Sequence, residues 1–532
     1  MDGQGTCRAA YEAAVEDLYT RHRSVRDAGF TGDAYKPGLD AMRSYAAFLG
    51  NPERRFRSIH VAGTNGKGSV CSMLAAALAA RGLRVGLYTS PHLVDFRERI
   101  KIVELLPEVG GHPFFIATGG HGSPSVPHLP AAGCYREISE EVVCRFMKEY
   151  DREGLTFFEV TTGMAFWWFA EEKVDVAVIE TGLGGRLDST NIITPELAVI
   201  TSIGLDHCDL LGSTRAEIAG EKAGIFKPGV PALVWGRDPE TQPVFESAAA
   251  RTGSPLFFAE HFQLPGEGGH SEELPLRYIP PVHMATGGHG SPSVPPLPAA
   301  SRNLKLDLIG PCQDINLRTT LAALAILFER ESQVFDNQSI SCLSLPKNRQ
   351  GQMANKLKTN ELKNTPKHTP VGSAGIDVAT LAAIASAARI TGFRGRWEQL
   401  LAEPFTICDI GHNPPALAAT FARLEQLRSE VPGKRRPLLV VYGAMRDKDV
   451  DTISALFPAD AEYFLVQPET PRAMPLQDLA LKLKHLPSTL SGSVADGVKQ
   501  ALERAGHLPG AIVYIGGSTF VVSEAITYLE RV

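Results

Sequence analysis

The chain has 532 residues, 44% hydrophobic and 21% charged, a length that exceeds one ordinary core and predicts two domains with insertions. Its formal net charge of −6 leaves no electrostatic footprint for nucleic acid, and no stretch reaches the ~20 apolar residues of a membrane span. Cys7, Cys71, Cys134, Cys144, Cys208, Cys312, Cys342 and Cys408 form no C-x-x-C pair, which argues against disulfides or zinc and for reduced thiols in a cytoplasmic setting.

The N-terminus carries Asp2, Glu12, Glu16 and Asp17 and no basic region leading into an apolar run, so it does not read as a signal peptide. Ala9, Ala10, Ala13, Ala14, Val15 and Leu18 fall at helical spacing, and a second helical stretch precedes Leu49-Gly50. Short β-rich runs then end in glycine-rich turns and lead into alanine- and leucine-rich helices. Phe56–Val61 leads into Ser69–Ala80, Val174–Ile179 ends at Glu180, Leu197–Ile203 ends near Gly204, and Pro231–Trp235 is a further strand. After Arg394 the pattern restarts with strands at Phe405–Cys408, Leu438–Tyr442, Tyr463–Val466 and Ala511–Ile515. Strands alternating with helices predict two parallel α/β sheets.

Three insertions, near 105–134, 266–301 and 338–372, interrupt this order. The first two carry near-identical copies of one segment, Ala117–Ala132 and Ala285–Ala300, which differ only at His128 versus Pro296. Copies so far apart cannot stack as a solenoid, and their Gly, Pro and Ser content predicts surface loops. The third, around Pro346–His368, is rich in Lys, Asn and Gln without interleaved aromatics, which favours a solvated insertion over an RNA-binding arm.

The chemistry concentrates at Gly63, Thr64, Asn65, Gly66, Lys67, Gly68 and Ser69, where a β-run ends in glycines and a helix begins. Glycines let backbone N–H groups turn toward phosphate oxygens, and the helix N-terminus adds partial positive charge. Lys67 is expected at the β- and γ-phosphates, and the Ser69 hydroxyl within reach of magnesium. The spacing is a variant of G-x-x-x-x-G-K-[ST] with Gly68 inserted after the lysine.

This loop, followed by TSPHLVDFRERI (Thr89–Ile100), ETGLGGRLDSTNI (Glu180–Ile192), GLDHCDLLG (Gly204–Gly212), EKAGIFKPG (Glu221–Gly229), GPCQDIN (Gly310–Asn316), GRWE (Gly395–Glu398), DIGHNP (Asp409–Pro414) and GAMRDKD (Gly443–Asp449), resembles the folylpolyglutamate synthase/dihydrofolate synthase family, relatives of the Mur ligases. The motifs keep the family's order and span nearly the whole chain outside the insertions. The resemblance implies a P-loop-containing parallel-sheet ATPase domain over 1–392 and a smaller Rossmann-like α/β domain over 393–532. It implies a monomeric ligase that uses ATP and Mg2+, with a monovalent cation such as K+ as a further candidate. The ligase would join dihydropteroate or a reduced folate to L-glutamate through an acyl phosphate.

By similarity Ser69, Ser90, Glu180 and His207 hold the metal, and Lys67, Glu180, His207 and Lys222 form the catalytic group, with Lys222 carbamylated as in relatives. Arg396 and Asp409 fall to ATP, Asn316 to the adenine, His412 and Ser518 to glutamate, and the Thr89–Arg99 loop with Asp188 to the pterin. Two departures stand out. Ile410 and Gly411 replace the family's Gly-Ala between Asp409 and His412, and Cys312 stands where histidine usually precedes Gln313. A Mur-type ligase would be expected to carry GKTT-like residues and a UDP-binding domain, for which the ~59 residues before the loop are too few. A monofunctional enzyme of either kind remains an alternative. An inactive nucleotide-binding protein is disfavoured by the retention of Lys67, Ser90, Glu180, His207 and Asp409.

Overall fold

The structure, a computed structural model, describes residues 3–22, 38–105, 134–261, 306–308, 312–343, 376–429, 435–448 and 450–531. Both copies of the repeated segment and the lysine-rich stretch lie outside these residues. The helix Gln313–Leu343 takes in the first residues of the third insertion.

The first sheet has eight strands: β1 Arg57–Ala62, β2 Val85–Tyr88, β3 Ile100–Val103, β4 Tyr135–Glu137, β5 Val176–Glu180, β6 Leu197–Ile200, β7 Ala232–Val234 and β8 Leu256–Phe258. Their order is β4-β3-β2-β5-β1-β6-β7-β8. The strands from β2 to β8 in that order pair in parallel, whereas β3 is antiparallel to both β2 and β4. Burial of both faces follows from the strand period of two. In β5, Val176 and Val178 join one core with the alanine-rich helix Lys67–Ala80, while Ala177 and Ile179 join another with the helix Phe157–Glu171. That second helix is apolar all round and starts at a capping box, in which Thr156 Oγ1 accepts from Glu159 N at 3.2 Å and Glu159 accepts from Thr156 N at 2.7 Å.

The second sheet comprises β9 Glu398–Leu401, β10 Phe405–Asp409, β11 Leu438–Tyr442, β12 Glu462–Val466, β13 Ser488–Gly492 and β14 Ile512–Gly516, in the order β13-β12-β11-β14-β10-β9. All its pairs are parallel except β9 with β10. Here too alternate residues face opposite cores, Ile512 and Tyr514 on one side and Val513 and Ile515 on the other.

The predicted helices at the start are present as Gly3–Arg21 and Asp40–Phe48. Short strands were harder to foresee: the β3–β4 pair, β8, β9 and β13 have three to five residues each and lie toward sheet edges. The first insertion interrupts the β3–β4 connection, whose base is closed by Glu104 N donating to Cys134 O at 3.0 Å. Among the described residues no helix is long and apolar enough to cross a membrane.

Candidate active site

Sheet order gathers the site. β2, β5, β1 and β6 are neighbours, so Ser90, Glu180, the glycine loop and the Thr201–His207 segment all leave the carboxyl edge of one sheet side by side. In the second sheet β12, β11, β14 and β10 are neighbours, and they deliver Arg472, Lys448, Ser518 and Asp409 in the same way. Both edges line one cavity of about 440 Å3.

The loop is shaped from beneath. Gly66 has φ +87° and caps the helix Lys67–Ala80. A Cβ there would meet Asn316 Oδ1 at 2.2 Å, and one on Gly63 would meet Thr201 Oγ1 at 1.7 Å. Thr64 N donates to Ser202 O at 2.7 Å, while the Thr201 and Ser202 hydroxyls both donate to Asn65 O, at 2.8 and 3.1 Å. Lys67 Nζ folds back onto Gly63 O (3.1 Å) and Thr64 O (3.3 Å) and lies 4.0 Å from Glu180 Oε1. Lys222 Nζ reaches the same Gly63 carbonyl at 2.8 Å although the residue is only 4% exposed. Burial, reinforced by the Lys67 charge, lowers its pKa from 10.5 to about 7.

Glu180 is 3% exposed, and its Oε2 accepts from Ser90 N at 3.1 Å. Burial raises its pKa against the opposing pull of Lys67 and Arg396. Next to it the buried Thr181 hydroxyl, also on the cavity wall, has no hydrogen-bond partner among the described residues. His207 adopts φ +52° at the start of a short helix, and burial drops its pKa to about 4, leaving a neutral imidazole at pH 7. Its neighbour Asp206 crosses to the second domain, with Lys448 Nζ at 3.1 Å and His412 Nε2 at 4.0 Å. The neighbouring His207, the Lys448 ammonium and the His412 ring hold its carboxyl well below the usual range against the cost of burial.

Magnesium favours hard oxygens and keeps several waters, usually adding one or two carboxylates and substrate phosphates. Three donors here fit that habit, a buried carboxylate at Glu180 and serine hydroxyls at 69 and 90, while the neutral His207 imidazole adds a nitrogen to the set. Among the described residues no three His, Cys, Asp or Glu side chains converge on a ready-made metal cage.

Other residues singled out from the sequence take more structural places. Asn65 exchanges amide hydrogen bonds with Asn413 across the domains, the better one from Asn413 Nδ2 to Asn65 Oδ1 at 2.9 Å. Asn316 lies under Gly66 and donates to Gln313, which reaches Ser69 Oγ at 3.4 Å. Asp188 lines the cavity, but its oxygens accept from Leu183 N (2.8 Å) and Thr190 N (3.0 Å). Ser518 is likewise a helix cap, accepting from Val521 N at 3.2 Å. Asp409 accepts from Trp397 N (2.9 Å) and Gly411 N (2.7 Å), and a Cβ on Gly411 would sit 2.8 Å from its Oδ1, which accounts for glycine at that departure. His412 Nδ1 bonds to Ile410 O at 3.0 Å and burial lowers its pKa. Arg396 lies deep in the cleft, where burial lowers its pKa and Asp409 and Glu180 oppose the shift. Cys312 lines the cavity beside Gln313.

Of the Thr89–Arg99 loop only Ser90, Pro91 and Arg99 reach the cavity, whereas Leu93 packs into the second domain's core and its carbonyl accepts from Ser523 Oγ at 2.5 Å. Several cavity residues carried no assigned role in the sequence reading. Asp206, Lys448 and Arg472 were missed, although the first two stand inside matched motifs. So were Phe157 and Phe158, which form an aromatic wall with Arg99 5.2 Å over the Phe157 ring. Their signal, a Phe-Phe pair directly after a capping threonine, reads as ordinary core.

Comparison with known proteins bears on this geometry. The Mur ligase middle domain model matches residues 118–260, and the Mur ligase glutamate ligase domain model matches 395–519. The folylpolyglutamate synthase of Lacticaseibacillus casei is 31% identical over 481 residues, covering 89% of this chain and 90% of that protein. The chain belongs to the folylpolyglutamate synthase/dihydrofolate synthase family. The dihydrofolate synthase/folylpolyglutamate synthase of Haemophilus influenzae is 30% identical over 513 residues, covering 93% and 95%. A solved bifunctional folylpolyglutamate synthase/dihydrofolate synthase with Mn, AMPPNP and L-glutamate bound matches this member of the family with a TM-score of 0.64. The two are 25% identical, and the match covers 98% of each chain. The fold is therefore that of a P-loop ATPase domain followed by a smaller Rossmann-like domain.

Proposed function

We propose that this chain is an ATP-dependent carboxylate–amine ligase that extends dihydropteroate and reduced folates with L-glutamate, as a bifunctional enzyme. The observation that carries this reading is the single cavity shared by a phosphate loop on one sheet edge and a Lys448–Arg472–His412 group on the other. The first suits a nucleotide triphosphate and the second an amino dicarboxylate, and a family relative has been solved with an ATP analogue and L-glutamate together.

The residues divide the labour. Backbone N–H groups from Asn65 to Ser69 and the Lys67 ammonium cradle the phosphates, which is mainly alignment and charge neutralisation. Glu180, His207, Ser69 and Ser90 would hold Mg2+, which when bound offsets the phosphate charge. In the first half-reaction a substrate carboxylate oxygen bonds to the γ-phosphorus as the β–γ bridge breaks, giving acyl phosphate and ADP. In the second, the glutamate nitrogen bonds to the acyl carbon and phosphate leaves. That nitrogen must first lose a proton. With Nδ1–H of His412 given to Ile410 O, its Nε2 lone pair is free to accept one. Lys448 and Arg472 suit glutamate's carboxylates, and the Phe157–Phe158 wall suits a flat pterin ring.

Asp188 and Ser518 act in this reading by shaping the wall, and Asn316 by supporting the loop. Arg396 and Asp409 sit where the second domain meets the nucleotide. We place the division between the domains at 392/393, where the helix Ala387–Thr391 ends and Gly392 turns at φ +59°. The enzyme acts as a monomer on small molecules in the cytoplasm, a setting consistent with seven free cysteines among the described residues.

The test is an ADP-release and ligation assay with dihydropteroate and with tetrahydrofolate, each with glutamate. Both should turn over. Turnover of one alone would make the enzyme monofunctional, and ADP release with neither would end the ligase reading.

A further inference from the structure

The phosphate loop has one glycine that its backbone does not require. Gly68 is the second residue of the helix Lys67–Ala80 and has no left-handed angle to excuse it, unlike Gly66. What excludes a side chain there is space: a Cβ would lie 2.6 Å from Cζ and 2.8 Å from Cε2 of Phe393, whereas the Glu180 carboxylate is at an ordinary 3.5 Å.

Phe393 belongs to the segment joining the two domains, and that segment is held on both sides of it. Before it, the buried Lys101 Nζ on β3 donates to the carbonyls of Thr391 (3.0 Å) and Gly392 (2.9 Å), and Phe393 N donates to Ala388 O (2.9 Å). After it, Arg394 pairs with Glu398 (2.9 Å) and Glu530 (2.5 Å), and Gly395 O accepts from Ile410 N (3.1 Å). The Arg396 guanidinium lies 5.3 Å over the Phe393 ring, and Trp397 N ties the next residue to Asp409. One aromatic ring thus meets both the first turn of the phosphate-loop helix and a cavity arginine of the second domain.

We propose that Phe393 is a positioning residue that couples the placement of the second domain to the phosphate loop. A nucleotide that settles the loop then also settles Arg396 and the glutamate subsite. The proposal rests on the ATP reading given above. A side chain packed against the first-domain core and held near an arginine of the second has few alternative positions, so a shift at one contact is passed to the other rather than absorbed.

Glutamate affinity of the full-length protein, titrated with and without saturating AMPPNP and Mg2+, tests this. In the wild type AMPPNP should tighten glutamate binding by about fivefold or more, the usual scale of such coupling. Phe393→Ala should bring that ratio close to one while AMPPNP affinity itself changes less, and Phe393→Tyr should keep it. Gly68→Ala should weaken AMPPNP about tenfold by overpacking, and adding Phe393→Leu should recover most of that loss. Wild-type coupling in Phe393→Ala, no coupling in the wild type, or a double variant no better than Gly68→Ala would each overturn the proposal. AMPPNP failing to bind the wild type would instead remove the ATP reading on which it stands.

Discussion

Lys222 is the residue whose chemistry the fold alters most. An ordinary lysine with a pKa of 10.5 has about one neutral amine in 3,000 at pH 7, whereas one at about 7 has half. Only the neutral amine attacks CO2: a C–N bond forms, a proton goes to water, and an anionic carbamate replaces a cation. The site therefore favours carbamylation by roughly three orders of magnitude through the amine's availability alone, and the product would put two oxygens on the cavity wall near the phosphate loop. The expected outcome is a carbamate carbonyl signal in 13C NMR after incubation with labelled bicarbonate, absent in Lys222→Ala. Turnover should fall in CO2-depleted buffer and return with bicarbonate, and Lys222→Ala should be inactive yet partly rescued by a small carboxylate such as acetate. The bare amine leaves its own mark on stability. Its folded pKa lies below the unfolded one, so the folded chain binds fewer protons between about pH 7 and 10.5, and stability rises with pH across that window. From about pH 6 to 8.5 the gain is about 2 kcal/mol without CO2, and Lys222→Met should abolish it in urea titrations. No carbamate signal together with full activity in CO2-depleted buffer would refute the reasoning.

Under the proposed metal role Glu180→Ala removes a Mg2+ ligand and should reduce ligation by at least about 100-fold. Its thermal midpoint should stay level or rise, because an under-bonded buried carboxylate is removed; wild-type turnover would refute the metal role. Lys448→Ala removes the cation 3.1 Å from Asp206 and should raise KM for glutamate about tenfold or more with KM for ATP little changed, measured by steady-state kinetics. Equal effects on both would place Lys448 elsewhere in the mechanism. Deleting Ala117–Ala132 should leave most activity, because the β3–β4 base is closed by its own hydrogen bonds and loop length costs little. Loss of all turnover would show that the segment takes part in the reaction.

What could be read from the sequence was what local chemistry encodes. A strand running into Gly-Thr-Asn-Gly-Lys-Gly-Ser carries its purpose in adjacent residues, and Glu180 announces itself by standing at the end of an apolar run. Edge strands of three to five residues carry too little periodicity to be seen, and β3, β4 and β13 become visible only through their partners. Capping is a second role that residue type alone does not show. Asp188 and Ser518 line the cavity, and their oxygens also accept from backbone N–H groups of their own segments.

The remaining features depend on residues hundreds of positions apart, and no spacing rule reaches them. Asp206 beside Lys448, Asn65 paired with Asn413, and Phe393 filling the space that Gly68 vacates all join one sheet edge to the other. They share a consequence. Each side of the cavity could be assembled from its own strands, but the loop that should bind the nucleotide is shaped by contacts from both. Gly63 and Gly66 answer to Thr201 and Asn316 within the first domain, and Gly68 answers to the segment leading into the second. The three glycines look alike in sequence and are required for different reasons: the first two let the backbone press against its supports, and the third leaves room for a side chain that reports where the other domain stands.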